Sequence, residues 1–394
     1  MTPAPGCPVC GAPDPRRVVS LPRIPALCNR LHPSREAARA AETAAMDLRM
    51  CAGCGHLFNA AFDPRRVAYG PGYENSLHCS GRFTAYAERL ADRLVTEHGI
   101  RGKRVAEIGC GDGAFLQLLC ARGNNRGVGF DPSHAGAATS SEAVTIVQQT
   151  ASEAFLREAA PEAVICRHVL EHIDTPVRFL EEVRRGCRAS PDPLFFFEVP
   201  NALFLLRGDG IWDLIYEHCG HFTPASLRRA FAEAGIRVDV LEEAYAGQFL
   251  TVLGRPGAPA SRPACASTSG ELLAHAKAFA RRYRDATRGW ADRLRRWHAA
   301  GMEVVVWGAG SKGITFVNGV PGAEAISALV DINPRKHGKH VPGTGHPVRA
   351  PEELPARPPD VVLLMNPVYR DEVGSQLHAL RLSPTLVDAT AGAD

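Results

Sequence analysis

Between Phe83 and His98 the apolar residues Phe83, Tyr86, Leu90, Leu94 and Val95 fall three to four positions apart, the period of a helix with one buried face. The pattern predicts a helix that ends at Gly99-Ile-Arg-Gly102. The period then changes. Arg104-Val-Ala-Glu-Ile108 is strand-sized, Gly109-Cys-Gly111-Asp-Gly113 is a turn, and Ala114 to Ala121 reads as the next helix. A second strand, Arg126 to Phe130, ends in Asp131, and Ala163-Val-Ile-Cys166 is a later one that leads through Arg167-His-Val-Leu-Glu-His-Ile173 into a helix. Strands alternating with helices predict an α/β domain built on a parallel sheet.

After the apolar run Leu250 to Leu253, Arg255 to Pro263 and the small residues up to Gly270 read as a linker. A long helix follows, with Phe279, Tyr283, Ala286, Trp290, Leu294 and Trp297 on one stripe. Met302 to Trp307 is a buried strand, Gly308-Ala-Gly310-Ser-Lys-Gly313 opens a helix, and Ala328 to Val330 leads to Asp331. Gly319 and Pro321 cut that helix short, and the polar stretch Asn333 to Pro342 takes the place of the next strand. With the strand Asp360 to Met365 and the run Pro384 to Asp388, this predicts a half-sized Rossmann-like unit.

The length of 394 residues fits two or three domains. Three is the better count: a small unit over 1–80, a central domain over 81–255, a linker and connecting helix over 256–300, and the smaller unit over 301–394. Hydrophobic residues at 45% and charged residues at 22% exclude wholesale disorder and fibrous architecture. The apolar runs are far shorter than the roughly 20 residues a membrane span needs, so a soluble chain with no membrane partner is expected. Cys, Pro and Asp near the N-terminus replace the basic and apolar regions of a signal peptide, and a cytoplasmic location is the expectation. A net charge of +3 gives no case for nucleic acid as a partner, and the arginines of the long helix, interrupted by acids, read as a solvated face.

Twelve cysteines in a reducing compartment call for a use other than disulfides. Eight are scattered, at positions 28, 79, 110, 120, 166, 187, 219 and 265. Cys7-Pro-Val-Cys10 and Cys51-Ala-Gly-Cys54 form two C-x2-C knuckles, each followed by a glycine that permits a tight turn. Two knuckles supply the four thiolates of a closed, structural zinc site, against the alternatives of a redox dithiol or four buried small side chains. A small segment gains from zinc the stability that its core cannot supply. His56, two residues past the second knuckle, is expected at the surface.

Each glycine loop lies between a strand and a helix N-terminus, where backbone approaches a ligand closely. The first is G-x-G-x-G and not the pyrophosphate-binding G-x-G-x-x-G; it has Glu107 in the strand before it and, 22 residues after Gly109, Asp131 placed to accept ribose hydroxyls. The second, Gly308 to Gly313, is formally the dinucleotide fingerprint, with Asp331 18 residues beyond its last glycine. Taken alone it argues for an NAD-dependent oxidoreductase; the short remaining chain leaves little room for both halves of a full dinucleotide fold. A zinc-anchored scaffold with degenerate loops is the non-enzymatic alternative.

The motifs Val-Ala-Glu-Ile-Gly-Cys-Gly-Asp-Gly (105–113), Gly-Phe-Asp-Pro (129–132) and His-Val-Leu-Glu-His-Ile (168–173) resemble those of the class I S-adenosylmethionine-dependent methyltransferases. The resemblance implies that Glu107, Gly109, Cys110, Gly111, Gly113 and His168 surround the methionine part of the cofactor and that Asp131 holds its ribose. The order of zinc knuckles, methyltransferase core, connecting helix and Rossmann-like unit is similar to that of the sugar-nucleotide C-methyltransferases of antibiotic pathways, which methylate keto-deoxysugars. Ile-Tyr-Glu-His-Cys-Gly-His-Phe-Thr (215–223), Trp-Gly-Ala-Gly-Ser-Lys-Gly (307–313), Asp-Ile-Asn-Pro-Arg-Lys (331–336) and Gly345-His-Pro-Val348 carry this likeness over nearly the whole chain.

That family resemblance implies an enzyme that removes a proton from a carbon beside a ketone and methylates it, with His218 as the base and Glu217 its neighbour. Imidazole, with a reference pKa of about 6.5, can accept a proton at neutral pH but needs a donor to the developing enolate oxygen. Tyr216, Tyr73, His221 and Asn201 are the candidates, although Tyr216 directly abuts Glu217 where the family leaves one residue between. Asn201 and the cations Lys312, Arg335 and Lys336 are the expected contacts to a nucleotide-linked substrate, and His168 with His172 the expected lining of the pocket. Methylation of oxygen or nitrogen on another small natural product is the alternative within the methyltransferases. A monomer or small homo-oligomer is expected.

Overall fold

The computed structural model describes residues 6–70, 72–74, 76, 78–134, 142–208, 210–257 and 270–390. Cys265 and most of the expected linker lie outside the described residues. Three sheets organise the chain. The first is antiparallel, formed by β1 (Arg16–Pro25), β2 (Thr43–Met50) and β3 (Leu57–Asn59). Its last strand is the two-residue Gly220–His221 (β9), which pairs with β3 through Leu57 and His221 although it follows much of the central sheet in the chain. The tight β2–β3 connection carries Cys51 to Cys54. Gly11 and Gly55 adopt φ of 72° and 75°, and their N–H groups donate to the carbonyls of Cys7 and Cys51 at 2.8 and 3.0 Å.

The central sheet comprises β4 (Arg104–Ile108), β5 (Arg126–Phe130), β6 (Val144–Val147), β7 (Ala163–Arg167), β8 (Leu194–Pro200), β10 (Ile236–Ala244) and β11 (Phe249–Pro256). Their order is β10-β11-β8-β7-β4-β5-β6, and β11 alone runs against the others. Both faces are covered by helices, so the strands read as continuous apolar runs: Phe195, Phe196 and Phe197 of β8 are all buried, each worth roughly 2–3 kcal/mol. The helix expected from Phe83 spans Gly81–Thr96; Ser80 caps it, and its apolar stripe packs against the helix Ala114–Gly123.

The third sheet is fully parallel: β12 (Val304–Trp307), β13 (Ala328–Val330), β14 (Val348–Arg349), β15 (Val361–Leu364) and β16 (Thr385–Asp388), in the order β14-β13-β12-β15-β16. Here the expectation needs correction, because β14 occupies the position beside β13 that the polar stretch had been expected to leave empty. Val348, whose backbone N–H donates to Lys339 at 2.8 Å, is followed by Arg349 alone, and two residues carry no detectable strand periodicity. The helix Gly270–Ala299 buries Phe279, Tyr283, Trp290 and Leu294 against a core shared with the first sheet, the helix Ala202–Arg207 and the third sheet. No helix among the described residues is long and apolar enough to cross a membrane.

Candidate active site

In an open parallel sheet a ligand crevice forms where the strand order reverses, outside the carboxyl ends of the strands. This chain has two such points, between β4 and β7 and between β12 and β15, and they face one another across a cleft of about 950 Å³. Gly109, Cys110 and Gly111 line it on the central side, and Gly308, Gly310 and Gly313 line it on the other.

The first loop is held open by its glycines. Gly109, Gly111 and Gly113 have φ of 72°, 57° and 80°; at Gly109 a Cβ would also come within 2.2 Å of Val169, so any other residue there would distort the loop. Glu107 lies beneath with its Oε2 free of any hydrogen bond among the described residues, and burial pushes its carboxyl up to about 8. A buried carboxyl with one oxygen unpaired, beside open backbone, fits the ammonium of an amino-acid moiety. Asp131 and Gly113 do not reach the cleft wall. Asp131 accepts from the Gly111 N–H at 2.8 Å and from the Ser133 N–H and hydroxyl at 2.8 and 2.6 Å, locking the loop to the turn after β5.

Behind the cleft residues Arg167 and His168, Glu198 is fully buried and held well down, to about 2: burial opposes its charge, but Arg167 and His168 outweigh that penalty. Tyr86 donates a hydrogen bond to it, Arg167 lies 3.0 Å away, and His168 lies 3.1 Å away. The guanidinium of Arg167 stacks over Phe115 at 4.2 Å. His168, in a left-handed conformation with φ of 55°, feels the desolvation of burial but is pushed up to about 9 by Glu171 and Glu198.

His218 faces His172 edge to face, with ring centroids 4.7 Å apart, and the Nδ1 of His172 shares a 2.6 Å hydrogen bond with the Tyr69 hydroxyl. Burial, then the neighbouring His172, His221, His168 and Lys312, hold His218 well below the usual imidazole range, so it is a free base at neutral pH. Glu217 does not contact it. Its Oε2 accepts from the Cys28 N–H at 2.8 Å, and its Oε1 accepts from the Cys28 thiol at 3.2 Å and the Tyr73 hydroxyl at 3.0 Å. Burial pushes Glu217 up to about 7 against these donors.

Of the residues singled out in the sequence, Glu107, Gly109, Cys110, Gly111, His168, His218, Tyr73, Lys312, Arg335 and Lys336 line the cleft. Besides Asp131 and Gly113, four others are placed elsewhere. Tyr216 points into the core beside Phe62, its hydroxyl accepting the Asp63 N–H at 2.7 Å, because the one-residue shift from the family spacing turns it to the opposite side of the chain. Asn201 caps the helix Ala202–Arg207 by accepting the Leu203 N–H at 3.0 Å, and donates to the Gly247 carbonyl at 2.9 Å. His221 is buried in β9, and burial pulls it down to about 4. Glu217 lies behind Tyr73. His56, expected at the surface, is fully buried against Phe222 with ring centroids 4.7 Å apart, because β9 covers the knuckle from outside the N-terminal segment.

The three cations on the third sheet's side already have partners: Lys312 with Asp213 at 2.8 Å, Arg335 with Glu74 at 2.9 Å and Asp112 at 3.4 Å, and Lys336 with Asp331 at 3.1 Å. Lys339 also lines the cleft and has no ion pair among the described residues. Asp331, the acid that a dinucleotide site would turn toward a ribose, accepts from the N–H groups of Ala309 at 2.8 Å and Asn333 at 2.9 Å as well as from Lys336. That removes the specific support for the oxidoreductase alternative. Tyr69, Cys28, Glu171 and Lys339 had not been singled out. The Tyr69/Tyr73 pair and Glu171, inside the 168–173 motif, carried a local signal; Cys28, 189 positions from Glu217, carried none.

The sulfurs of Cys7, Cys10, Cys51 and Cys54 all lie within 4.8 Å of one another, with Cys7 to Cys54 at 3.6 Å and Cys10 to Cys51 at 3.5 Å.

The family model described as a methyltransferase domain matches residues 80–241, and the one described as a C-methyltransferase C-terminal domain matches residues 269–384. The chain is 30% identical over 388 residues to the C-methyltransferase NovU of Streptomyces niveus, covering 93% of this chain and 90% of that protein. The chain belongs to the C-methyltransferase family. It is an S-adenosylmethionine-dependent enzyme, and its central domain has the class I methyltransferase fold. Among solved structures, it is similar to magnesium protoporphyrin IX methyltransferase from Synechocystis PCC 6803, at 17% identity over 48% of this chain and 91% of that one, with a TM-score of 0.35. It is also similar to 1,6-didemethyltoxoflavin-N1-methyltransferase of Burkholderia thailandensis, at 16% identity over 45% of this chain and 81% of that one, with a TM-score of 0.34. In this C-methyltransferase Glu107 and the Gly109–Gly111 turn lie on the cleft wall.

Proposed function

We propose that this enzyme methylates a carbon beside a ketone in a nucleotide-linked keto-deoxysugar, with His218 as the base. The observation that carries the reading is the single cleft in which the cofactor loop, the His172–His218 pair and the glycine loop of the third sheet meet. Bound S-adenosylmethionine supplies an electrophilic methyl group on a sulfonium. Glu107 holds its ammonium, and the Gly109–Gly111 turn lets backbone close on its methionine part. His218, neutral and desolvated, takes the α-proton on its ring nitrogen and leaves a nucleophilic carbon for the methyl group that the cofactor would supply. Tyr73, on the cleft wall, is the donor to the enolate oxygen once its single O–H turns from Glu217 to the substrate, while Tyr69 holds the Nδ1 of His172. Lys339, with Lys312, Lys336 and Arg335 around it, meets the substrate's phosphates.

The four-cysteine cluster holds a structural zinc ion. All four donors are thiols, three of the four residues are buried, and the cluster packs on Phe58, Phe222 and Leu227, so it closes the first sheet against the central one. The product is a small molecule released to solvent.

The test of the base is α-hydrogen exchange in deuterated water with a thymidine-diphosphate-linked keto-deoxysugar and S-adenosylhomocysteine. His218→Ala abolishes exchange while leaving S-adenosylhomocysteine affinity within twofold of the parent. Undiminished turnover in that variant ends the assignment.

A further inference from the structure

The proton that His218 accepts turns a buried neutral ring into an imidazolium, and such a charge needs a carboxylate beside it. The sequence neighbour Glu217 cannot serve, since both its oxygens are engaged by Cys28 and Tyr73. The adjacent helical turn, Leu170–His172, supplies another. Glu171 is only 1% exposed, lines the cleft, and neither carboxylate oxygen has a hydrogen-bond partner among the described residues. One of its oxygens, a ring nitrogen of His172 and a ring nitrogen of His218 all lie within 4.8 Å of one another. On its other side His168 Nδ1 is 3.6 Å away.

We propose that Glu171, and not Glu217, is the positioning residue for the base: it orients the His172–His218 pair and balances the positive charge that forms on His218. The inference rests on the assignment of His218 as base. In the step, the α C–H bond breaks, its proton goes to the His218 ring nitrogen and its electron pair to the enolate. Carbon–methyl bond formation then leaves S-adenosylhomocysteine as a neutral thioether. The imidazolium, held beside the Glu171 carboxylate, returns its proton to solvent when product leaves. His168, 3.6 Å from Glu171 and 3.1 Å from Glu198, borders that carboxylate on the side away from the base.

The same three groups would also suit a divalent cation, and the test separates the two uses. Parent, Glu171→Gln, Glu171→Asp and His218→Ala proteins are compared for α-deuterium exchange into the thymidine-diphosphate-linked keto-deoxysugar with S-adenosylhomocysteine bound, for kcat and KM, for melting temperature and for zinc content. The expected result for Glu171→Gln is a fall of about 100-fold in exchange and in kcat together, with KM and S-adenosylhomocysteine affinity within twofold of the parent. Glu171→Asp recovers at least about tenfold of that loss, a rescue that a packing role does not produce. Exchange in Glu171→Gln within threefold of the parent, while His218→Ala is dead, overturns the role of Glu171 and leaves the base in place. Exchange that survives in His218→Ala overturns both. Two zinc ions per parent chain, falling to one in Glu171→Gln, overturns the proposal in favour of a metal site. If Glu171→Gln does not fold, Glu171→Asp alone decides: kcat about tenfold below the parent at unchanged KM supports the role, and parental kcat refutes it.

Discussion

Glu107 enters the cleft as a carboxyl pushed up to about 8 by burial, and the proposed cofactor placement sets the ammonium of S-adenosylmethionine against it. Cofactor binding should therefore expel a proton. At pH 7 a group with a pKa of 8 is about 90% protonated, so ionising it on binding releases about 0.9 proton, while the amino-acid ammonium of S-adenosylhomocysteine is already protonated and takes up almost none. The net release is about 0.9 proton. Calorimetric titration with S-adenosylhomocysteine at pH 7 in phosphate and in Tris buffer reads this number from the difference in apparent enthalpy. The affinity should fall about tenfold per pH unit below 8, because protonated Glu107 must first be ionised. Glu107→Gln removes both the proton release and that slope, and weakens binding at pH 8 by roughly 1.5–3 kcal/mol, the worth of a charge-assisted hydrogen bond. The sign for folding is opposite. A carboxyl whose pKa rises on folding adds stability below its unfolded pKa of about 4.5 and loses it as pH climbs through 8, so the ligand-free parent gives up about 3 kcal/mol at pH 7 that Glu107→Gln does not. Release of less than about 0.2 proton by the parent, or an unchanged pH slope in Glu107→Gln, would refute the placement of the ammonium at this carboxylate.

Three further outcomes follow from the geometry. Tyr216→Phe, which removes only a hydroxyl bonded to the Asp63 and Ala61 backbone, should lower stability by about 1 kcal/mol and leave kcat within twofold; a collapse of kcat would return Tyr216 to the active site. Cys51→Ser should lose the zinc ion, measured by atomic absorption, and free the first sheet to proteolysis while the central domain still binds S-adenosylhomocysteine; retention of one zinc per chain would count against a four-cysteine site. Lys339→Ala should raise KM for a nucleotide-linked acceptor about tenfold with kcat unchanged, and an equal loss in kcat and kcat/KM would show that Lys339 acts in the transition state instead.

Both glycine loops and the strands before them were legible in the sequence, because each is a local pattern: an apolar run, glycines that need positive φ, then a helix. The methyltransferase expectation came from the resemblance of three motifs, 105–113, 129–132 and 168–173, to those of that family. What stayed hidden depends on contacts between distant segments. β9 completes the first sheet from the far side of the central sheet, and it alone turns His56 from a surface residue into a buried one. The adjacency of Glu217 and His218 in the chain suggested a working pair, yet both sit in the turn that the His218 N–H closes on the Ile215 carbonyl at 3.2 Å, and the Glu217 side chain meets Cys28 instead. Asn201 shows the same limit: its side chain completes the backbone of a helix start and of Gly247, a demand invisible without the fold. Asp331 matched a dinucleotide fingerprint by spacing, and Lys336, five residues on, takes up the carboxylate that the fingerprint would use.

The central claim is that the new bond joins methyl to carbon. It is tested most directly by supplying S-adenosylmethionine with a carbon-13 methyl group and a thymidine-diphosphate-linked keto-deoxysugar labelled with carbon-13 in the sugar, and recording the product's carbon spectrum. The account predicts a methyl signal split by one-bond coupling to a sugar carbon beside the ketone. An unsplit methyl signal in the range of methoxy or N-methyl carbons would contradict it.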